Sequence, residues 1–438
     1  MMAAAGHEVH LVATVRRRDN PREVDGVRVW PLGYWWRAKQ AARPDVVVTV
    51  AGDRQAERLM PNLRRVPLLV LPHTDADFGE LEEACIRPLP AHQQAQARVT
   101  VPDDPLAGEP IKVVAWIHYG VPYRRAGSET MLQTMMCGLR DAGMGVLVVC
   151  SSMPEAPPSW EVDGVPYLHL GPRAAELLFR SVRPQVMVTH HNYAARATGL
   201  AREIGARSVL LMHSDHDYSA RSMQAGPHMI VYNTEWVRAS LALRYLEVDR
   251  TPSLIVHPPV VPDEHRSDGG GDQVTLVNLS SDKGVYTWRA AARTLPGLPF
   301  LGVTGAHGIQ VTAPLAPNMR VIRQTSDMRA DVWTRTRVLL VPSVYESYGM
   351  AAVEALASGI PVIAHPTPGL REALGDGATF IDRADVRSWV AAIRELYAEG
   401  DRRAEATRAA LARSAFLADQ MDVELKQWAQ AVQEVAGV

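Results

Sequence analysis

The sequence predicts an α/β protein built on doubly wound parallel sheets. Two observations carry that prediction. The first is a series of short apolar runs at 111–118, 144–151, 185–191, 208–214, 228–233, 274–279, 300–305, 337–343 and 360–365. Each is rich in Val, Ile and Leu, and Ala/Arg/Glu-rich stretches of helical character separate them. Near-continuous apolar strands alternating with helices imply a sheet covered on both faces. The second is an internal repeat. Residues 5–12 parallel 142–149, EVDGV occurs at 23–27 and again at 161–165, 42–49 parallel 182–189, and 67–75 parallel a segment ending at Asp215. Such order-preserving similarity marks a duplicated supersecondary unit.

The repeat sets the domain organisation. Residues 1–86 read as a truncated copy that begins inside the first helix of the unit, without its first strand and Gly-containing turn. Residues 87–109 are Pro- and Gln-rich and read as a linker. Two similar α/β halves follow, 110–258 and 259–438. The break between them is Pro-rich and carries three glycines, 269–271, read as a flexible hinge. In such architectures ligands sit at the carboxyl ends of the strands, here between the halves.

Composition excludes several classes. The 438 residues carry 46 Lys plus Arg against 48 Asp plus Glu, a formal net charge of -2. Phosphate contacts need clustered cations, so nucleic acid is not expected as a general partner. Hydrophobic residues at 47% and charged residues at 21% are ordinary for a globular chain. Cys85, Cys137 and Cys150 form no CxxC pair, which argues against a disulfide framework or structural zinc. No run reaches the ~18 apolar residues of a membrane helix. The first ten residues lack a signal-peptide pattern, so the expected setting is cytoplasmic, with peripheral membrane contact left open.

The most informative block is 338–375, VLLVPSVYESYGMAAVEALASGIPVIAHPTPGLREALG. A strand ends at Pro342-Ser343, a turn holds Glu346, Ser347, Tyr348 and Gly349, and a helix then opens with strong formers. Gly359 stops that helix. Backbone N–H groups at such a helix start, with the helix dipole, favour an anion. Glu346 precedes the helix and Glu354 lies eight residues later inside it. Taken singly, they read as a helix-start acid and a solvated or paired carboxylate. As a spaced pair they read as acceptors for sugar hydroxyls.

This block resembles the donor-site signature of GT-B glycosyltransferases of family 4, the retaining E-x7-E enzymes. Glu346 and Glu354 match the two glutamates, Gly349 the turn glycine, and 368–372 resembles the GG-x-x-E segment. Lys283 and Gly284 match the KG of the segment that opens the family's C-terminal domain. The family's Arg and Gly upstream of it are Asn278 and Val277 here. Tyr123 to Leu132 resembles the Gly-rich turn before the first helix, with Gly127 and with Ser128 as a cap. His213 matches a strand-end histidine near the transferred sugar.

The resemblance implies two Rossmann-like domains in a GT-B arrangement, preceded by the partial Rossmann-like repeat. It implies retaining transfer of a hexosyl or N-acetylhexosaminyl group from a nucleotide-diphosphate sugar to an acceptor hydroxyl. His213 and Glu346 would be catalytic. Gly127, Ser128, Asn278, Lys283, Gly284, Ser347, Tyr348, Gly349 and Glu354 would bind the donor, with the base near 323–326. Lys283 would meet the pyrophosphate, Glu346 the transferred sugar and Glu354 the ribose. No metal or other cofactor is implied. His190 and His191 end a strand at the same rim, one expected toward the crevice and one toward the core, because strand side chains alternate. The HSDHD run at 213–217 has no standard metal spacing. A DxD-like pair at Asp75 and Asp77 is explained by the repeat. A non-catalytic nucleotide-sugar-binding protein and another GT-B enzyme, such as a nucleotide-sugar epimerase, remain the alternatives.

Overall fold

The computed structural model describes residues 105–438 except 125, 154–155, 269, 306–307 and 438, together with five strands in the first 104 residues. Residues 1–99 and 100–438 form separate compact units. In the first unit, β1 (Val9–Ala13) pairs in parallel with β3 (Val27–Pro31), which pairs antiparallel with β2 (Arg22–Val24). β4 (Val47–Val50) and β5 (Leu68–Leu71) pair in parallel. The first helix of this copy, residues 87–104 of the 87–109 linker and the DxD-like pair lie outside the described residues.

The second unit holds two sheets. The first has eight strands in the order β13-β12-β11-β10-β6-β7-β9-β8. They are β6 (Lys112–Ile117), β7 (Gly145–Cys150), β8 (Ser159–Val162), β9 (Val165–His169), β10 (Val186–His190), β11 (Arg207–Met212), β12 (Met229–Tyr232) and β13 (Ser253–Ile255). The second sheet has the order β16-β15-β14-β17-β18-β19. Its strands are β14 (Gln273–Val277), β15 (Phe300–Val303), β16 (Met319–Ile322), β17 (Thr336–Val341), β18 (Val362–Ala364) and β19 (Ala378–Phe380).

The apolar runs become central strands because both faces are covered. In β6, Val113, Ala115 and Ile117 point into one core, packed with α1 (Gly127–Asp141). Val114 and Trp116 point into the opposite one, under α2 (Pro172–Val182) and α3 (Ala194–Ile204). A period-2 chain with apolar residues at every position has this outcome. The second sheet repeats the scheme, with α5 (Val285–Thr294) and α8 (Val386–Tyr397) on one face. The other face carries α6 (Met350–Leu356) and α7 (Pro368–Leu374). Between the sheets, α4 (Glu235–Ala242) follows β12 and is capped by Thr234, whose hydroxyl accepts the Val237 N–H. Cys137 is partly buried and Cys150 buried, and both are free thiols.

The structure departs from the sequence reading in three places. The first sheet is not purely parallel: β8 and β9 form an antiparallel hairpin at its edge. Its turn is Asp163-Gly164, both at positive φ (47° and 72°), the geometry that Asp-Gly favours in two-residue hairpins. The repeated EVDGV is therefore a hairpin, a signal available in the sequence. Secondly, Gly271 of the expected flexible hinge packs closely against the backbone of Arg335 and Thr336. Thirdly, α9 (Asp401–Ala436) does not stay with the second half. It is 36 residues long, about 54 Å at 1.5 Å per residue. Ala410 and Leu417 pack in the second sheet's core, whereas Trp428, Ala429 and Val432 pack in the first sheet's core. The fully buried Trp428 donates its indole N–H to Met135 O at 3.1 Å. Burial of such a side chain contributes roughly 1.5–3 kcal/mol, so the strap is firmly seated.

Candidate active site

Both sheets change their direction of growth at a switch point. The chain leaves β6 for β7 and β9, then lays β10 on the other side of β6. It leaves β14 for β15 and β16, then lays β17 on the other side of β14. Ligands of open parallel sheets sit outside the carboxyl ends of the strands at such points. A crevice of about 880 Å³ occupies that place, lined from the first half by Gly127, Ser128 and His213 and from the second by Lys283, Glu346 and Glu354.

The second-half wall is assembled by two tight turns. After β14, the loop ends at Gly284, which caps α5 with φ 90°. A Cβ there would lie 2.3 Å from Pro342 Cγ, so only glycine lets the start of α5 press against the end of β17. That approach brings Lys283 beside Glu346: Nζ and Oε1 are 2.5 Å apart. Ser343 donates its hydroxyl to the same oxygen at 2.9 Å. After β17, Gly349 caps α6 with φ 95°, turning the chain so that both Glu346 and Glu354 line the crevice. Glu354 Oε2 lies 3.7 Å from His265 Nδ1. Ser347 lines the crevice, whereas the side chain of Tyr348 is buried in the core beneath it. Gly284 does not line the crevice; its part is to place Lys283.

Asn278 has a structural reason to be asparagine. It follows β14 with φ 70°, a left-handed conformation that Asn tolerates better than most residues. Its Oδ1 accepts the Ser280 N–H at 3.1 Å and Gln310 Nε2 at 2.9 Å. Gln310 Oε1 in turn accepts the N–H groups of Leu279 and Gly305. The residue thus holds the loops after β14 and β15 together at the crevice wall. Gln324, Thr325 and Ser326 line the same wall.

In the first half, α1 starts two residues earlier than its sequence suggests. Ala126, not Ser128, occupies the cap position, because Gly127 already has helical backbone. Ser128 instead donates to Glu129 Oε2 at 2.9 Å within the first turn. A Cβ on Gly127 would lie 3.2 Å from Met350 Sδ, so the starts of α1 and α6 approach each other across the crevice.

His213 follows β11 and belongs to a cluster with His118, His190 and His191. His190 Nδ1 and His213 Nε2 are 2.9 Å apart. The rings of His190 and His191 are 4.6 Å apart, and those of His191 and His213 5.1 Å. Simple strand alternation would separate His190 from His191. Instead the strand ends at His190, and His191 takes φ 48°, returning its ring to the same cluster, with His190 buried and His191 at the crevice. Burial, then the neighbouring imidazoles, hold His190 and His213 well below the usual histidine range. Both are therefore neutral at neutral pH.

Contacts between the halves flank the crevice. Tyr345 donates its hydroxyl to Asp215 Oδ1 at 3.0 Å, and its ring stacks on His216 at 4.4 Å. Asn233 donates to Ser347 Oγ at 3.0 Å. Asp215 and Asp217 of the HSDHD run both pair with Arg244. Behind the crevice lies a clasp that sequence reasoning missed. His257 bridges two carboxylates, with Nε2 2.8 Å from Glu372 and Nδ1 2.7 Å from Glu424 of α9. Glu372 also accepts the N–H groups of Glu235 and Trp236 at the start of α4. Glu372, the last residue of the 368–372 segment, thus points to the inter-half clasp. Nothing local in the sequence links His257 to a residue 167 positions away.

Residues 313–413 match the family model "Glycosyl transferases group 1". That span holds Glu346, Glu354 and the 368–372 segment. The chain is 28% identical over 195 residues to a D-inositol 3-phosphate glycosyltransferase of Mycolicibacterium smegmatis, covering 38% of this chain and 44% of the relative. The chain thus spans less than half the length of that relative. The fold is GT-B-like. It superposes on sucrose-phosphate synthase from Thermosynechococcus elongatus with a TM-score of 0.62 at 14% identity, over 75% of this chain and 100% of that one. Anabaena Alr3699/HepE in complex with UDP-glucose gives 0.58 at 11% identity, over 75% and 99%. Among the described residues, no helix is long and apolar enough to cross a membrane.

Proposed function

We propose that this protein is a cytoplasmic, metal-independent retaining glycosyltransferase of family 4 that moves a sugar from a nucleotide-diphosphate sugar to an acceptor hydroxyl. The observation that carries the reading is the Lys283–Glu346 pair in the crevice, within the E-x7-E frame that Glu346 and Glu354 complete. A cation beside an anion-favouring turn suits a diphosphate, and carboxylates suit sugar hydroxyls.

In this reading the donor diphosphate displaces Glu346 as the partner of Lys283. Glu346, released toward the sugar, holds its hydroxyls. Negative charge develops on the departing diphosphate, and Lys283 with the N–H groups around 347–349 stabilises it. Neutral His213 orients the sugar and can donate a hydrogen bond without carrying a charge of its own. Glu354 holds the ribose, and 324–326 face the base. Retention is what the E-x7-E resemblance implies. The N-terminal segment repeats part of the first half, an assignment supported by its strand pairing: β1-β3-β2 has the order and sense of β7-β9-β8.

The test is nucleoside diphosphate release from a panel of UDP- and GDP-sugars, with and without hydroxyl acceptors that include inositol phosphates. One donor should turn over faster when its acceptor is present, and the product should keep the donor's anomeric configuration by NMR. Inversion would remove the family 4 assignment. Failure of every donor to turn over with any acceptor would favour a binding protein.

A further inference from the structure

One side chain that the proposed transfer leaves unused stands between the two walls of the crevice. We propose that Asn233 is a positioning residue for sugar transfer, its carboxamide fixing His213 of the first half against the Ser347 turn of the second. The inference rests on the transfer reading of the crevice. Asn233 follows β12 and is 3% exposed. Its Nδ2 donates to His213 O at 3.1 Å and to Ser347 Oγ at 3.0 Å. One buried group thus touches both the strand-end histidine assigned to the sugar and the turn whose N–H groups are assigned to the diphosphate.

The partners fix which way the amide points. A backbone carbonyl only accepts, so the group facing His213 O is the NH₂. Both of its hydrogens are then engaged, and Asn233 Oδ1 accepts the Thr234 hydroxyl at 3.4 Å. A serine hydroxyl has one hydrogen to give. Because Ser347 Oγ accepts from Asn233, that hydrogen is left for an oxygen in the crevice, which Ser347 lines. A donor diphosphate supplies such an oxygen. The frame around the amide is stiff. The Asn233 N–H donates to Met212 O at 3.0 Å, extending the pairing of β11 with β12. Just beyond Thr234, the N–H groups of Glu235 and Trp236 are bound by Glu372 of the second half. Behind the turn, Gly369 packs against the backbone of Glu346 and Ser347 with no room for a Cβ. Groups on separate walls react fast only when their relative placement is preset, and a shift of about 1 Å can cost about 100-fold in rate. The Asn233 amide is where that placement is set.

The experiment follows nucleoside diphosphate release by the full chain from UDP-glucose, UDP-N-acetylglucosamine and GDP-mannose, with inositol phosphates among the acceptors. The proteins are the wild type, Asn233→Ala, Asn233→Asp, Ser347→Ala and the double variant Asn233→Ala with Ser347→Ala, each checked by a melting curve. Asn233→Ala should lower kcat at least about tenfold with donor KM nearly unchanged, since relative placement counts in the transition state. Asn233→Asp keeps the size, gives no hydrogens when ionised and draws the Ser347 hydrogen to itself, so it should be at least as slow. Adding Asn233→Ala to Ser347→Ala should cost less than Asn233→Ala costs alone, because the two share a bond. A packing role predicts the reverse, with kcat restored by the size-preserving Asn233→Asp. Restored kcat in that variant, unchanged kcat in a folded Asn233→Ala, or losses that simply multiply in the double variant would overturn the proposal. If neither Asn233 variant folds, Ser347→Ala decides: kcat should fall at least about tenfold, and an unchanged kcat overturns the proposal. A wild type that moves no sugar removes the transfer reading and this inference with it; an active wild type with any of the contrary outcomes removes the inference alone.

Discussion

Replacing Lys283 by alanine should lower the rate of the proposed sugar transfer by about 10²–10³-fold, the loss seen when one preorganised group facing developing charge is removed. The effect falls on kcat more than on KM. The leaving diphosphate carries more charge in the transition state than in the bound donor, so a cation beside it acts mainly there. The fold survives the change. The Lys283 side chain is 30% exposed, and its pair with Glu346 contributes no more than about 1 kcal/mol to stability. Steady-state kinetics with a melting curve check both halves of the prediction. An unchanged kcat in a folded variant would take Lys283 out of the chemistry.

Replacing His257 by alanine destabilises the second unit by about 3 kcal/mol, because breaking a buried ion pair leaves carboxylates uncompensated. Glu424 keeps Gln420 and a backbone N–H, and Glu372 keeps two backbone N–H groups, which sets the loss at the lower end. The contribution depends on pH. Burial alone would lower the His257 pKa, but hydrogen bonds to Glu372 and Glu424 outweigh it and raise it from 6.5 to about 9. A group with a raised folded pKa gives its full stabilisation below the unfolded value and loses it as pH climbs through the folded one. Burial works against the Glu372 carboxylate too, and its bonds to His257 and to two backbone N–H groups hold it below 4.5. That contribution is present above 4.5 and is lost in acid. The clasp is therefore strongest from about pH 4.5 to 6.5 and fades as pH rises through 9. Urea midpoints for the wild type and His257→Ala should differ most near pH 6 and converge near pH 10. A pH-independent difference would mean that His257 acts by packing rather than by charge.

Much of the architecture was legible because it follows from local pattern. All nine apolar runs are strands, since burial on both faces leaves a signature in composition. The shorter edge strands β13, β16 and β19 left no such run, being only three or four residues and partly exposed. The crevice wall around 343–354 was legible because glycine, carboxylate and helix formers fall within one turn. What escaped the sequence is what distant segments build together. The pairing of Lys283 with Glu346 spans 63 positions, and that of His257 with Glu424 spans 167. The return of His191 toward His190 depended on a backbone angle that strand alternation gave no reason to expect. Asn278, which breaks the family pattern, became intelligible only when its φ and its bond to Gln310 were seen.

The most direct measurement is calorimetric titration of UDP, GDP and ADP into the wild type and Glu354→Ala. One of them should bind the wild type at one site per chain, and removing the Glu354 carboxylate should weaken it by at least about tenfold, the equivalent of about 1.4 kcal/mol for a lost charge-assisted bond to the ribose. Binding of equal strength in both proteins would put the nucleotide outside this crevice. Absence of binding to the wild type would contradict the reading of the crevice as a donor site.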